Sequence, residues 1–335
     1  MKYTMILWPH SNARYRSETL KLAKSELNVM FARVAPEAEV SGAECLDLPA
    51  ISIQTAEPLS ENALRAIQRA SLLYGLFETR PDGAMIPVIG RERAYLGEDL
   101  PGVLKYKGKT NELFTQLLIN AGLYAGDYFA PEMPVRLYDP MCGRGTTLLV
   151  GANRGWNCTG TDVDRRDLNE GEQFLKRYLE YHRLKHAVER ESLTLTGKNH
   201  AACVKFTFSD TPQNYKKGET ASARMVNCDA CEARNAFGAK AFHLIACDLP
   251  YGVQHASEGT SIEKLLSRAL PVWKRTLAPG GTIALSFNAQ TLKRDRVREM
   301  MAEAEMEPMT GGAWDAFSHW VEQAVTRDIA VCRRI

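Results

Sequence analysis

No apolar run in these 335 residues approaches the length a membrane span needs. Met1–His10 holds one lysine and a brief apolar stretch, without a small-residue cleavage pattern. Neither a membrane partner nor a secretory leader is expected, and the chain reads as cytoplasmic. A disulfide framework is also missing: the eight cysteines are scattered, and Cys45, Cys158, Cys247 and Cys332 sit in apolar segments as small hydrophobes of a reducing compartment. Only Cys228 and Cys231 have redox or zinc spacing, and no second such pair or spaced histidine pair completes four ligands, so no metal is expected. His182 and His186 lie among Arg183 and Lys185 and read as a solvated helix face. Strong charge is lacking too, since a net charge of +2 does not announce a nucleic-acid binder. Repeats and low-complexity tracts are not evident.

With 45% hydrophobic and 24% charged residues, the chain has room for one large domain and a smaller one. Residues 1–102 read as an N-terminal α+β domain, suited to RNA binding or substrate positioning. It has a strand over Tyr3–Trp8, a helix over Ser17–Arg33, a strand over Ala50–Gln54 and a helix from Ser60, its N-cap, to Arg69. Arg80–Gly102, rich in proline and glycine, is the boundary stretch. From 103 to 335 the pattern becomes alternating strands and helices, the mark of a parallel α/β sheet. Strands are predicted over Val135–Tyr138, Cys158–Thr161, Ala223–Asn227, Ala241–Cys247, Thr282–Phe287 and Asp328–Arg333. Helices are predicted over Thr146–Arg154, Leu168–Arg183 and Ser261–Thr276, the last capped by Ser261. Residues 187–222 break the rhythm and read as an inserted hairpin and loop, with short strands over Ser192–Thr196 and Cys203–Ser209. Separated basic groups could converge on a phosphate track: Arg14 and Arg16; Lys105, Lys107 and Lys109; Lys216 and Lys217; and Lys293, Arg294, Arg296 and Arg298.

Chemistry gathers at the predicted strand ends. The first strand runs into Asp139-Pro140-Met141-Cys142-Gly143-Arg144-Gly145-Thr146-Thr147. Two glycines between a strand and a helix let the chain turn sharply and a ligand approach the backbone. Asp162 ends the second strand, placed to accept hydrogen bonds from ribose hydroxyls, and Asp229 follows the third, where an acid can take an adenine amino group. Three acids at successive strand ends describe an adenosine-bearing cofactor. The dinucleotide spacing G-x-G-x-x-G is missing, and Asp139 suits a cationic amino acid better than a pyrophosphate. S-adenosylmethionine (SAM) carries both an ammonium and a sulfonium. Asp248-Leu249-Pro250-Tyr251 closes the fourth strand: an acid and a carbonyl to accept from a planar amine, and a ring to stack on the plane bearing it.

Asp139 to Thr147, Thr161 with Asp162, and Asp248 to Gly252 together resemble class I SAM-dependent methyltransferases that modify exocyclic amines of nucleobases. The wording Asp-Pro-Met-Cys-Gly-x-Gly-Thr is similar to that of RNA guanine-N2 methyltransferases, whereas DNA adenine methyltransferases more often place an aromatic after the proline. Lys109-Thr110-Asn111-Glu112-Leu113-Phe114 resembles the helix that packs beside the cofactor's methionine end. The likeness covers roughly Lys105–Arg334 apart from the insertion. It implies a Rossmann-like, doubly wound seven-stranded sheet. In it Asp139, Pro140, Cys142, Gly143, Gly145 and Thr146 cradle the methionine part, Asp162 and Val163 meet the ribose, and Asp229 with Ala230 meets the adenine. Asp248, Leu249, Pro250 and Tyr251 form the catalytic element, with Asp248 also beside the cofactor. Leu249 departs from the usual Asp-Pro-Pro-Tyr; its carbonyl survives, but one fixed φ angle is lost. The first hundred residues resemble the start of tRNA guanine-N2 methyltransferases that continue into a THUMP domain, for which this chain has too little length.

The resemblance implies an RNA substrate, tRNA or rRNA; nothing in the sequence indicates a small activating subunit. Competing expectations are an adenine-N6 methyltransferase acting on DNA or RNA, disfavoured by Met141 and Cys142, and a non-catalytic SAM- or RNA-binding module. Tyr106 and Phe114 are core residues or base platforms, and Phe287 and Asn288 are candidates to line the pocket.

Overall fold

The computed structural model describes residues 1–9, 13–129, 134–197, 199–250 and 262–335, and the side chains of residues 13–17 also lie outside the description. The chain begins with an antiparallel sheet of β1 (Lys2–Leu7), β2 (Glu39–Cys45), β3 (Leu48–Gln54), β4 (Leu73–Thr79) and β5 (Met85–Ile89), in the order β2-β3-β1-β4-β5. Helices α1 (Ala13–Val34) and α2 (Glu61–Arg69) pack on it. Alternation along β1 and β3 sends Tyr3, Met5, Leu7, Ile51 and Ile53 into one core with Leu27 and Ile67. Ser60 caps α2, its hydroxyl accepting from Ala63 N at 3.2 Å. β5 fills part of the proline- and glycine-rich stretch with an edge strand that tolerates Pro87.

The second sheet holds β6 (Arg136–Asp139), β7 (Asn157–Asp162), β8 (His186–Thr194), β9 (His200–Phe208), β10 (Ala221–Asn227), β11 (Phe242–Asp248), β12 (Leu277–Asn288), β13 (Glu307–Pro308), β14 (His319–Glu322) and β15 (Val325–Arg333). Its order is β8-β9-β10-β7-β6-β11-β12-β15-β13, with β14 paired to β15 alone. β10, β7, β6, β11 and β12 run parallel and β15 runs antiparallel to β12. The seven strands β10-β7-β6-β11-β12-β15-β13 match the seven-stranded sheet that the sequence resemblance implies. The insertion extends it, because β8 and β9 pair over their full length and β9 pairs with β10. With β8 and β9 from the insertion and β14 on β15, the sheet has ten strands among the described residues, three more than the core pattern predicts.

Connecting helices are α3 (Leu100–Val103), α4 (Glu112–Ala125), α5 (Thr146–Ala152), α6 (Arg165–Tyr181), α7 (Pro212–Lys217), α8 (Ala233–Phe237), α9 (Ile262–Thr276) and α10 (Arg294–Glu303). Ser261, the expected cap of α9, lies outside the described residues. α4 is apolar on all sides because it is covered on all sides: Leu117, Leu118, Ala121 and Leu123 share a cluster with Val29 and Met30 of α1 and with Leu244 and Ala284 of the sheet. At Gly122 a Cβ would lie 2.6 Å from Leu244 Cδ1 and 2.9 Å from Ala284 Cβ. Gly122→Val is therefore expected to cost about 1–3 kcal/mol through overpacking, read as a lowered melting temperature. A polar contact joins the two sheets beside α4. Buried Glu26 accepts from Asn120 Nδ2 at 2.6 Å and from Ser71, and Arg154 donates to Asn120 Oδ1 at 2.8 Å. Burial pushes the Glu26 carboxyl up, against the lowering effect of these donors.

Candidate active site

Strand order reverses between β6 and β11, and their carboxyl ends hold Asp139 and Asp248. In α/β sheets such a switch point opens the crevice where ligands sit. Parallel register brings Asn227 level with Asp162 and Ser286 level with Asp248 along the same edge.

The loop after β6 is shaped by its glycines. Gly143 and Gly145 have φ of +52° and +90°, a region that side chains disfavour. Cys142 N donates to Thr161 O at 2.9 Å, Thr161 Oγ1 donates to Pro140 O at 2.9 Å, and Gly143 N donates to Asp162 Oδ2 at 2.8 Å. The first loop is thus tied to the end of β7. Asp139 is buried; its carboxylate accepts from Met141 N at 3.1 Å and from the Thr147 side chain. Burial pushes this carboxyl up to about 7, with Asp162 and Asp248 adding repulsion. Asp162 is also raised, chiefly by burial. Val163 beside it is 71% exposed, and Asn227 Nδ2 donates to the carbonyls of both. Asp229 Oδ1 accepts from Cys231 N at 2.7 Å at the start of a short 3-10 turn, and buried Ala230 accepts from Trp273 Nε1 at 3.0 Å.

Asp248 is held from several sides. Ser286 Oγ donates to its Oδ1 at 2.7 Å, Thr110 Oγ1 donates to its Oδ2 at 2.5 Å, and Arg327 of β15 stands 3.6 Å from Oδ2. The Arg327 guanidinium lies 4.3 Å from the centroid of the Phe114 ring, next to His319, whose pKa burial pulls down to about 4. Leu249 is buried and its N–H donates to Ser286 O at 2.9 Å, which fixes the turn without a first proline. Pro250 follows it; Tyr251 and Gly252 lie outside the described residues.

The segment 105–111 runs from α3 to α4 as a strap. Its Tyr106 hydroxyl meets Thr146 Oγ1 at 3.4 Å, and its ring lies 4.4 Å from the Arg144 guanidinium. Arg144 is braced by Asp167 and Glu170 at 2.9 and 2.6 Å. A sulfonium cofactor with an amino acid tail and an adenosine fits this set. Buried Asp139 offers a negative group for an ammonium, the glycine turn leaves backbone open, and Asp162 lies at the neighbouring strand end.

Some sequence candidates fall elsewhere. Phe287 is core, and Asn288 braces the β12 end through Ala324 O and Thr326 N. The arginines of the basic group at α10 are paired with acids: Arg294 with Asp328, Arg296 with Glu263, Glu299 and Glu303, and Arg298 with Asp315, while Lys293 donates to Ala289 O at 3.0 Å. No group of three or more possible metal ligands occurs among the described residues. Burial pushes the Cys228 and Cys231 thiols up to about 12 and 11.

With this edge in view, comparison decides the family. The model of the UPF0020 family, an RMKL-like methyltransferase domain, matches residues 131–314. The chain belongs to this family. The RMKL-like domain thus spans the sheet from just before β6 to just before β14, and the chain is a methyltransferase with the class I fold. Similar solved structures include the rRNA methyltransferase aviRa from Streptomyces viridochromogenes, at 16% identity over 69% of this chain and 88% of that one, with a TM-score of 0.39. Magnesium protoporphyrin IX methyltransferase from Synechocystis PCC 6803 with bound SAM is 15% identical over 69% and 87%, at a TM-score of 0.39. No curated protein matches the chain.

Proposed function

We propose that this methyltransferase transfers the SAM methyl group to the exocyclic N2 of guanine in RNA, tRNA or rRNA. The observation that carries the reading is the Asp248 carboxylate, held by Ser286 and Thr110 beside Asp139 at the switch point. An aromatic amine is a poor nucleophile because its lone pair is delocalised into the ring. Accepting both amino protons, on Asp248 and on the Leu249 carbonyl, turns the nitrogen toward the methyl donor. Asp248 also takes the proton that leaves as the N–C bond forms and the S–C bond of SAM breaks, with S-adenosylhomocysteine as the leaving product. Bound SAM supplies the electrophilic methyl. Asp139, Gly143 and Gly145 hold its methionine part, Asp162 and Val163 its ribose, and Asp229 with Ala230 its adenine. Residues 103–335 form the catalytic domain, and residues 1–102 position the RNA.

Incubating the protein with SAM and total RNA, then digesting, is expected to yield N2-methylguanosine. Label accepted by DNA alone, or N6-methyladenosine as the sole product, contradicts the reading.

The raised pKa of Asp139 adds a pH signature. Between about 4 and about 7 the folded protein holds this proton and the unfolded chain does not, so Asp139's contribution to stability falls as pH rises through that window. An ammonium partner needs the carboxylate. SAM affinity is therefore expected to fall about tenfold per unit as pH drops below 7. Titration calorimetry across this range, with Asp139→Asn losing both affinity and pH dependence, checks the assignment.

A further inference from the structure

Between the two sheets lies a cleft of about 980 Å³. Trp8, at the end of β1, and Tyr74, on β4, line it and are 42% and 55% exposed, with ring centroids 5.5 Å apart in an edge-to-face pair. Two large rings left open to water and inclined at 60° to each other offer separate faces on which different bases can stack. The Arg91 guanidinium stands 5.4 Å from the Trp8 centroid, held by Gln116 Oε1 at 2.9 Å.

The acids of the cleft are engaged by neighbours. Glu92 takes two hydrogen bonds from Arg69, Glu112 pairs with Lys109, Asp99 accepts from Tyr178, and Glu98 accepts from Ala94 N. Arg93 and Lys105 are exposed and form no ion pair among the described residues. Aromatic faces beside cations match a planar base with its phosphates. The cleft also adjoins the reaction site through the strap: Lys105 lines it, Tyr106 meets the glycine loop, and Thr110 holds Asp248.

We infer that this cleft binds an unpaired stretch of the RNA substrate, with one base stacked on Trp8, another on Tyr74, and the flanking phosphates on Arg91, Arg93 and Lys105. The inference rests on the proposal that RNA is the substrate. An occupant of the cleft is led along the strap to Asp248, so one wall serves both binding and reaction.

Fluorescence anisotropy of the full chain with a short single-stranded RNA of mixed sequence, and with DNA of the same sequence, tests it. Trp8→Ala and Tyr74→Ala are each expected to weaken RNA binding about tenfold or more, with Trp8→Phe retaining most of it. Arg93→Ala and Lys105→Ala each lower the salt slope by about 0.7. SAM affinity and melting temperature, measured on the same variants, show that they are folded. Unchanged RNA affinity in folded Trp8→Ala and Tyr74→Ala, or DNA bound more tightly than RNA, overturns the inference. If wild type still methylates RNA in that case, the cleft assignment falls and the reaction stands. Affinity lost in the variants while wild type methylates no RNA leaves the cleft and removes the reaction.

Discussion

Asp248→Ala is expected to lower kcat for methyl transfer about 10³-fold or more while the affinity for SAM stays nearly unchanged. Loss of a positioned proton acceptor costs about 10²–10⁴ in rate. In the proposed reaction the same carboxylate also orients the amine, an additional electrostatic contribution. Alanine leaves Ser286, Thr110 and Arg327 facing an emptied position. Asp248→Asn separates the chemistry from that disturbance, because its amide fills the space and keeps one acceptor oxygen but takes no proton. Both variants should be inactive in single-turnover assays, with Asn closer to wild type in melting temperature. Near-wild-type turnover in Asp248→Asn contradicts the role of proton acceptor.

Asp162→Ala is expected to do the reverse and weaken SAM binding about tenfold to a hundredfold, since hydrogen bonds to a charged acceptor contribute about 1.5–3 kcal/mol each. The structure adds a second route to the same loss. Asp162 Oδ2 takes the Gly143 N–H at 2.8 Å and Oδ1 takes that of Asp164 at 2.9 Å, so the carboxylate also fixes the glycine loop after β6, which in the proposed site holds the methionine part. At saturating SAM the variant should recover much of its kcat. Calorimetric Kd and kcat measured on both variants check the division of roles; equal loss of cofactor binding in Asp248→Ala and Asp162→Ala contradicts it.

The central strands of the larger sheet were legible because they are largely buried on both faces, and β6, β7 and β11 each end in an acid. The strands over 136–139, 157–162, 221–227 and 242–248 all fall where the pattern puts them, within a few residues. The N-terminal sheet was less legible. β2 carries Gly42 and exposed polar residues that argue against a strand, while the strand-prone runs of β4 and β5 are interrupted by Gly75 and Pro87. β2 turns into β3 through Leu46 and Asp47 at φ of 51° and 59°, a hairpin without the usual glycine. The inserted strands ran longer than their apolar cores because the solvent-facing ends of β8 are held by pairing to β9.

At the site, the residues adjoining a motif were readable and those brought from afar were not. Ser286 stands level with Asp248 once β12 is placed beside β11, so parallel register could have named it. Thr110 lay within a run already noted for its resemblance, though without a role. Arg327 reaches the carboxylate from a strand 79 positions further along the chain, and no spacing rule announces it. Leu249 is buried and its N–H, which a proline would lack, donates to Ser286 O, a tie that the motif alone does not announce.

The most direct test is nucleoside mass spectrometry of RNA from cells with the protein, without it, and with Asp248→Ala in its place. The account predicts N2-methylguanosine that depends on the protein and is missing in both other samples. An unchanged N2-methylguanosine level across all three contradicts it.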